Sequence, residues 1–327
     1  MGRNSARTSL PVTRSGLGAT TVRMKTPLAL LAALAFVLVP LLRADTPPPK
    51  APAPAPLAKP AVIGASVSAG VGLDTTADPF QGQESKLRLS NVVDASIVGT
   101  HDAILDLASF MFFSAPKPTA KKSAKEVVEA KPSLVVAIDY LFWLGFGPGD
   151  EKARLERIED GLKALEAVKS PLLLGDLPDF NGVTVSRMML APESIPTRDV
   201  LAHLNARIAE WAKKRSNVVV VPIEETFRKL NAGEEFTVRG NAFGKDARAK
   251  FMQKDGLHTT LEGTCALWVV AVDAWLATKP AGVEEKDFVL DVAQLVAKAP
   301  SAGGAGKDDK KPAKPTKPEK KKVGAGG

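Results

Sequence analysis

The sequence predicts an α/β domain, a parallel sheet covered by helices on both faces. Three observations predict it. Short apolar runs recur along the chain, at 133–139 (SLVVAID, rich in β-branched residues), 171–175 (PLLLG) and 217–221 (NVVVV); such continuous runs mark strands buried on both sides. Amphipathic helical stretches alternate with them, and a strand–helix alternation packs as a parallel sheet with helices above and below. The intervening chain, 61–298, is about 240 residues long, a size that buries a large core in one domain.

The elements follow in order. Residues 61–66 form a short apolar strand ending in small residues. Residues 102–113 have helix-like apolar spacing, with Thr100 as the expected N-cap. Residues 124–130 are expected to be helical and to stop at Pro132. The strand at 133–139 comes next. Residues 150–168 place Leu155, Ile158, Leu162 and Leu165 on one helical face. The strand at 171–175 leads to a helix over 198–214, with Leu201, Leu204, Ile208 and Trp211 on one side. After the strand at 217–221, residues 260–277 are apolar almost all round and predict a buried helix.

The flanks differ. Residues 24–42 (MKTPLALLAALAFVLVPLL) begin with one lysine and continue in an apolar run, short for a membrane span. With Arg43-Ala44-Asp45 after it, this is the logic of a signal peptide over 1–44, with Met24 as an alternative start. Export to the periplasm or the exterior is therefore expected, and a membrane is involved only if the segment stays uncleaved. Residues 45–60 read as an extended Pro/Ala linker. Residues 299–327 are Lys, Pro, Gly and Ala and predict a disordered tail.

The two ends carry +7 and +5 of the net +8, which leaves −4 for 61–298. The folded part is mildly acidic, which argues against nucleic-acid binding. The single cysteine, Cys265, sits in an apolar run and allows no internal disulfide. Three scattered histidines and one cysteine make a poor metal set.

Sites in parallel α/β sheets lie at the carboxyl ends of strands. The first strand ends in Gly64-Ala65-Ser66-Val67-Ser68-Ala69-Gly70, where small residues leave the Ser66 hydroxyl room. A serine needs a base to act as a nucleophile. The best base is His258 in Asp255-Gly256-Leu257-His258, just before a helix start at which Thr259 and Glu262 have capping-box spacing. Asp255, three residues earlier, can hold the second imidazole nitrogen. Asp139 and Tyr140 end the central strand and are pocket candidates, and Phe142, Trp143 and Phe146 are candidate wall residues. Asp176 and Asp179 follow the next strand as candidate rim carboxylates, while His203 reads as solvated.

The order and spacing of two of these motifs resemble the SGNH (GDSL-type) hydrolase family. GASVSAG resembles the family's first block, GDSLSxG, and DGLHTTLEG its last, DGxHPxxxG. The resemblance spans about 61–278. It implies a three-layer α/β/α sandwich (SGNH/flavodoxin-like) and ester or acyl hydrolysis by Ser66, His258 and Asp255, without metal or organic cofactor. The substrate would be an ester- or acyl-bearing small molecule, glycan or lipid. The backbone N–H groups of Ser66 and Gly99 are the oxyanion-hole candidates, Gly99 by its match to the second-block glycine. Two positions depart from the family. Ala65 stands where it has aspartate. Asp139-Tyr140 stands where the third block, GxND, supplies an asparagine donor; losing one such donor costs about 3–4 kcal/mol of transition-state stabilisation. That departure supports the alternative of a weak or inactive SGNH-fold envelope protein that binds a glycan or lipid. Nothing in the sequence selects the substrate or the oligomeric state.

Overall fold

The structure, a computed structural model, describes residues 55–74 and 84–302. The expected signal peptide, most of the linker and the tail beyond Ala302 lie outside the described residues. In chain order the elements are β1 (Pro60–Val62), α1 (Leu89–Ser96), β2 (Leu105–Asp106), α2 (Pro116–Ala130), β3 (Leu134–Ala137), α3 (Phe142–Gly145), α4 (Glu151–Ala164) and β4 (Leu172–Gly175). There follow α5 (Arg198–Lys213), β5 (Val218–Val221), α6 (Ile223–Ala232), β6 (Phe236–Val238), β7 (Asn241–Phe243), α7 (Ala247–Phe251), α8 (Leu261–Ala277) and α9 (Val292–Lys298).

Strands β1 to β5 form one sheet in the order β2-β1-β3-β4-β5, every pair parallel. Helices α2, α4 and α5 pack on one another, as do α1, α8 and α9. The result is the expected three-layer α/β/α sandwich. The registers Val62↔Val136, Ala137↔Leu174 and Gly175↔Val221 align the strand ends, so the chain leaves β1, β3, β4 and β5 along one edge.

Burial explains why these runs are strands. Ala61, Val62, Leu134, Val135, Val136, Leu172, Leu173 and Leu174 are wholly buried. Each fully buried Val or Leu side chain contributes about 1.5–3 kcal/mol, and a short strand covered on both faces collects it from consecutive residues. Helix α8 is buried nearly all round, as its composition requires. Its N-cap is Thr260, whose hydroxyl accepts from the Gly263 N–H, one residue later than the capping-box spacing suggested. Asp150 and Thr197 cap α4 and α5 in the same way.

The largest departure is at 102–113. Residues 105–106 form β2 instead of a helix, and the chain then makes a short 3₁₀ turn, Phe110–Ser114. The Leu107 N–H donates to the Val62 carbonyl at 2.8 Å, and Asp106 accepts from Arg88 and Ser90. Tertiary pairing at the sheet edge overrides a local apolar spacing that fits either state. Helix α2 begins earlier than expected, at Pro116, where a first-turn proline loses no helical hydrogen bond. The linker also ends sooner: Pro60 belongs to β1, and the Lys59 N–H donates to the Ser133 hydroxyl at 2.8 Å.

Candidate active site

Candidate residues from four segments gather at the carboxyl edge. Ser66 lies four residues beyond β1, Asp139 two beyond β3 and Asp176 one beyond β4, while the Asp255–His258 arm precedes α8. Ser66 and His258 are both buried.

The Asp255–His258 arm is a tight, self-bonded turn. The Asp255 Oδ1 accepts from the Leu257 and His258 N–H groups at 2.9 and 3.0 Å, and its Oδ2 pairs with His258 Nδ1 at 2.6 Å. Burial alone would raise the Asp255 carboxyl. The hydrogen bonds from the His258 ring and backbone and from Leu257 outweigh it and hold the group below the ordinary carboxylate range. Gly256 makes the turn with φ 73°, and a Cβ there would overlap the Thr184 carbonyl oxygen. Glycine is required on both counts. With Nδ1 held by the carboxylate, Nε2 is left as the working nitrogen.

One side chain ties this arm to the serine turn. The Gln253 amide donates to the Thr259 and Val71 carbonyls, each at 2.7 Å, and the Val71 N–H donates to the Ser66 carbonyl at 3.0 Å. The Asp255–His258 arm and the Ser66 turn are thereby one hydrogen-bonded unit. Among the described residues, neither the Ser66 hydroxyl, the Ser66 N–H nor His258 Nε2 has a hydrogen-bond partner. Nucleophile–base bonds commonly tighten only with substrate in place.

Asp139 does not present its carboxylate as a free pocket group. Its Oδ1 accepts from the Ala65 N–H at 2.9 Å and the Ser68 hydroxyl at 2.5 Å, and its Oδ2 from the Val67 and Ser68 N–H groups at 2.8 and 3.1 Å. Burial pushes this carboxyl above the ordinary range, against the four hydrogen bonds. Three of the donors are fixed backbone N–H groups, so the geometry is that of the ionised form.

A cleft of about 480 Å³, open in part to solvent, runs from Ser66 and Asp139 to Asp176. Phe142, Phe180 and Phe227 supply much of its wall. Asp176 accepts from the Glu224 N–H at 2.7 Å and from the Ile223 N–H, at the start of α6. Burial raises its pKa to about 7 despite these bonds, and Glu224 and Glu225 add to the rise. A carboxyl raised in the folded state contributes stability below its unfolded value, near 4, and loses it as pH climbs through about 7. Asp176→Asn keeps an acceptor for α6 and removes the buried charge. It is expected to stabilise the protein by about 1–2 kcal/mol at pH 8. Urea unfolding at pH 8 and pH 5 checks it: the gain should shrink at the lower pH, and an equal gain at both would count against the buried charge as its cause.

Three candidates are placed elsewhere or differently. Gly99 lies at the opposite edge of the sheet. The neighbouring Val98 N–H donates to the Asp287 carbonyl, and the Asp102 N–H donates to the Ala58 carbonyl, ahead of β1. Gly99 matches the second-block glycine in position and type, but Ile97 closes α1 and β2 has not yet begun. The chain that does pass the Ser66 turn is the one after β2, where the Ser109 N–H donates to the Gly64 carbonyl at 2.9 Å. Tyr140 is wholly buried, and its hydroxyl donates to the Ala120 carbonyl at 3.0 Å, away from the cleft. Phe146 is a core residue stacked on Phe142.

Outside the site, His203 pairs with Glu151 at the surface, His101 with Asp94, and Asp179 with Arg198. Cys265 is buried and its thiol is pushed up to about 12 by burial and by Glu262, which makes it unreactive. No group of side chains among the described residues could hold a metal ion. Sequence reasoning missed Gln253; nothing in its local pattern announces a side chain that reaches a carbonyl 182 residues away in the chain.

No family model matches the sequence, and no curated protein matches it. Among solved structures, the chain is similar to TesA (19% identity, 68% of this chain and 98% of that chain, TM-score 0.35). It is similar also to the psychrotrophic esterase EstA from Pseudoalteromonas sp. (12% identity, 68% and 96%, TM-score 0.37). A third is a GDSL-like lipase from Bacteroides thetaiotaomicron (13% identity, 68% and 87%, TM-score 0.36). At this level of overlap, the chemistry of the site rests on its own geometry.

Proposed function

We propose that this protein is an exported serine hydrolase that cleaves a carboxylic ester or acyl bond. The observation that carries the reading is the hydrogen-bonded unit of base arm and serine turn. An aspartate-held histidine is tied through Gln253 to a turn whose serine keeps both its hydroxyl and its N–H unpartnered among the described residues, beside an apolar cleft. The motif resemblance to the SGNH/GDSL family supports it. Export rests on the apolar segment 24–42 alone.

The chemistry runs in two halves. The Ser66 Oγ adds to the carbonyl carbon and its proton passes to His258 Nε2. The Ser66 N–H donates to the oxygen that becomes negative. Collapse of this adduct expels the alcohol, which takes the proton from His258. Water then adds to the acyl carbon, giving its proton to the same nitrogen. The acid leaves, and Ser66 regains its proton. Asp255 orients the imidazole throughout and stabilises its charged form.

A fluorophosphonate probe tests the reading, because it labels only an activated serine. The wild-type chain should be labelled and should turn over p-nitrophenyl acetate, and Ser66→Ala should do neither. Label retained in Ser66→Ala, or absent from the wild type, would sink it. One observation favours a second reading. The position of the family's asparagine donor is held by Asp139, an acceptor committed to the serine turn. If labelling fails while the folded chain binds acylated glycans or lipid vesicles in pull-down, the non-catalytic envelope reading replaces the first.

A further inference from the structure

The structure assigns Asp139 as the positioning residue of the nucleophile turn, an anchor that sets the direction of Ser66 from the end of the neighbouring strand. The inference rests on the serine-hydrolase reading. Ala65 stands where the resembled motif carries its own carboxylate, so the turn has no acceptor of its own. Asp139 supplies one across the sheet. Its two oxygens take the N–H groups on either side of Ser66, those of Ala65 and Val67, together with the N–H and hydroxyl of Ser68. The N–H it leaves free is that of Ser66.

This division has a consequence for the chemistry. A turn of five small residues between Gly64 and Gly70 has many conformations open to it. Four hydrogen bonds to one buried carboxylate select one of them, and hydrogen bonds to a charged acceptor are the strong kind. With its neighbours committed to Asp139, the Ser66 N–H points where no acceptor among the described residues competes for it. It is thus left for the developing oxyanion. The pairing of Val62 with Val136, three residues before Asp139, brings the carboxylate level with the serine turn. Gly64 leaves the space the carboxylate occupies.

The anchor acts on Ser66 without contacting the reacting atoms, so its removal should lower the rate of covalent attack more than it weakens substrate binding. Two variants of the full chain test this. Asp139→Asn keeps the shape but replaces an acceptor oxygen by a donor that faces N–H groups. Ser68→Ala removes the hydroxyl bond alone and leaves the backbone bonds. The readouts are the second-order rate of fluorophosphonate labelling of Ser66, kcat and KM on p-nitrophenyl acetate, and the melting temperature. Asp139→Asn should label at least about tenfold more slowly and lose kcat by a similar factor, with KM within about twofold. Ser68→Ala should lose about threefold in both rates and remain folded. If Asp139→Asn does not fold, Ser68→Ala decides. Wild-type labelling and kcat in the folded variants would overturn the assignment, as would a loss confined to KM. Because wild-type labelling is measured alongside, a failure of the hydrolase reading is seen separately from a failure of the anchor.

Discussion

His258→Ala is expected to lower kcat for ester hydrolysis by about 10⁴- to 10⁶-fold. The imidazole has its Nδ1 fixed by Asp255 at 2.6 Å, and Gln253 ties its arm to the serine turn. Without it the Ser66 proton has no acceptor and the alcohol no acid. Asp255→Asn should cost less, about 10⁴-fold, because the ring stays in place while its preferred tautomer is lost. It also loses the charge-assisted bonds that hold the turn at Leu257 and His258. On the proposed mechanism the three groups act as one device, so their losses should not add. Ser66→Ala combined with His258→Ala should be no slower than Ser66→Ala alone. Steady-state rates on p-nitrophenyl acetate, corrected for uncatalysed hydrolysis, check this. A His258→Ala protein within about tenfold of wild type would remove histidine from the mechanism, and additive losses would break the unit into unrelated residues.

Gly64→Ala should strongly destabilise the protein and slow the labelling of Ser66. A Cβ there would overlap the Asp139 Oδ1 and the Ser68 Oγ and crowd the Ser68 Cβ. Neither partner is a flexible surface tip. Ser68 is wholly buried, and Asp139 is held by four hydrogen bonds. Relief therefore requires the carboxylate to leave its donors, which strands buried N–H groups, or β1 to move against β3. Overpacking of this kind costs about 1–3 kcal/mol, and a broken buried network adds to it. The expected result is a destabilisation of about 3–4 kcal/mol in urea unfolding. Fluorophosphonate labelling should fall to the level of Asp139→Asn in the fraction that remains folded. A stability within about 1 kcal/mol of wild type, the low end of overpacking costs, would mean that the carboxylate moves freely. It would weaken the close fit between β1 and β3 on which the prediction rests.

Much of this protein is legible in its sequence, and the parts that are not share a cause. The runs at 133–139 and 171–175 became the fully buried strands β3 and β4, and the run at 217–221 became β5, half-buried at the sheet edge. The helices α4 and α5 were marked by periodicity, and α8 by a run that is apolar almost all round. The pairing of Asp255 with His258 could be read from their spacing, since three residues of turn suffice to bring them together. These are local facts, determined by a few neighbouring residues.

The rest is long-range. Residues 105–106 become a strand because β1 offers open backbone acceptors, which the chain reaches only when folded. Gly99 falls at the far edge because the crossover after α1 has yet to return. Asp139 reads in the sequence only as a departure from the family's asparagine donor, because its own donors lie more than 70 residues away. The sequence by itself determined the layered architecture and the identity of the nucleophile–base candidates, through burial patterns and spacing within single elements. Only the tertiary structure decided which carboxylate anchors the serine turn and which glycine stands apart from it. Those choices depend on where separate strands end, and that is fixed by register across the sheet.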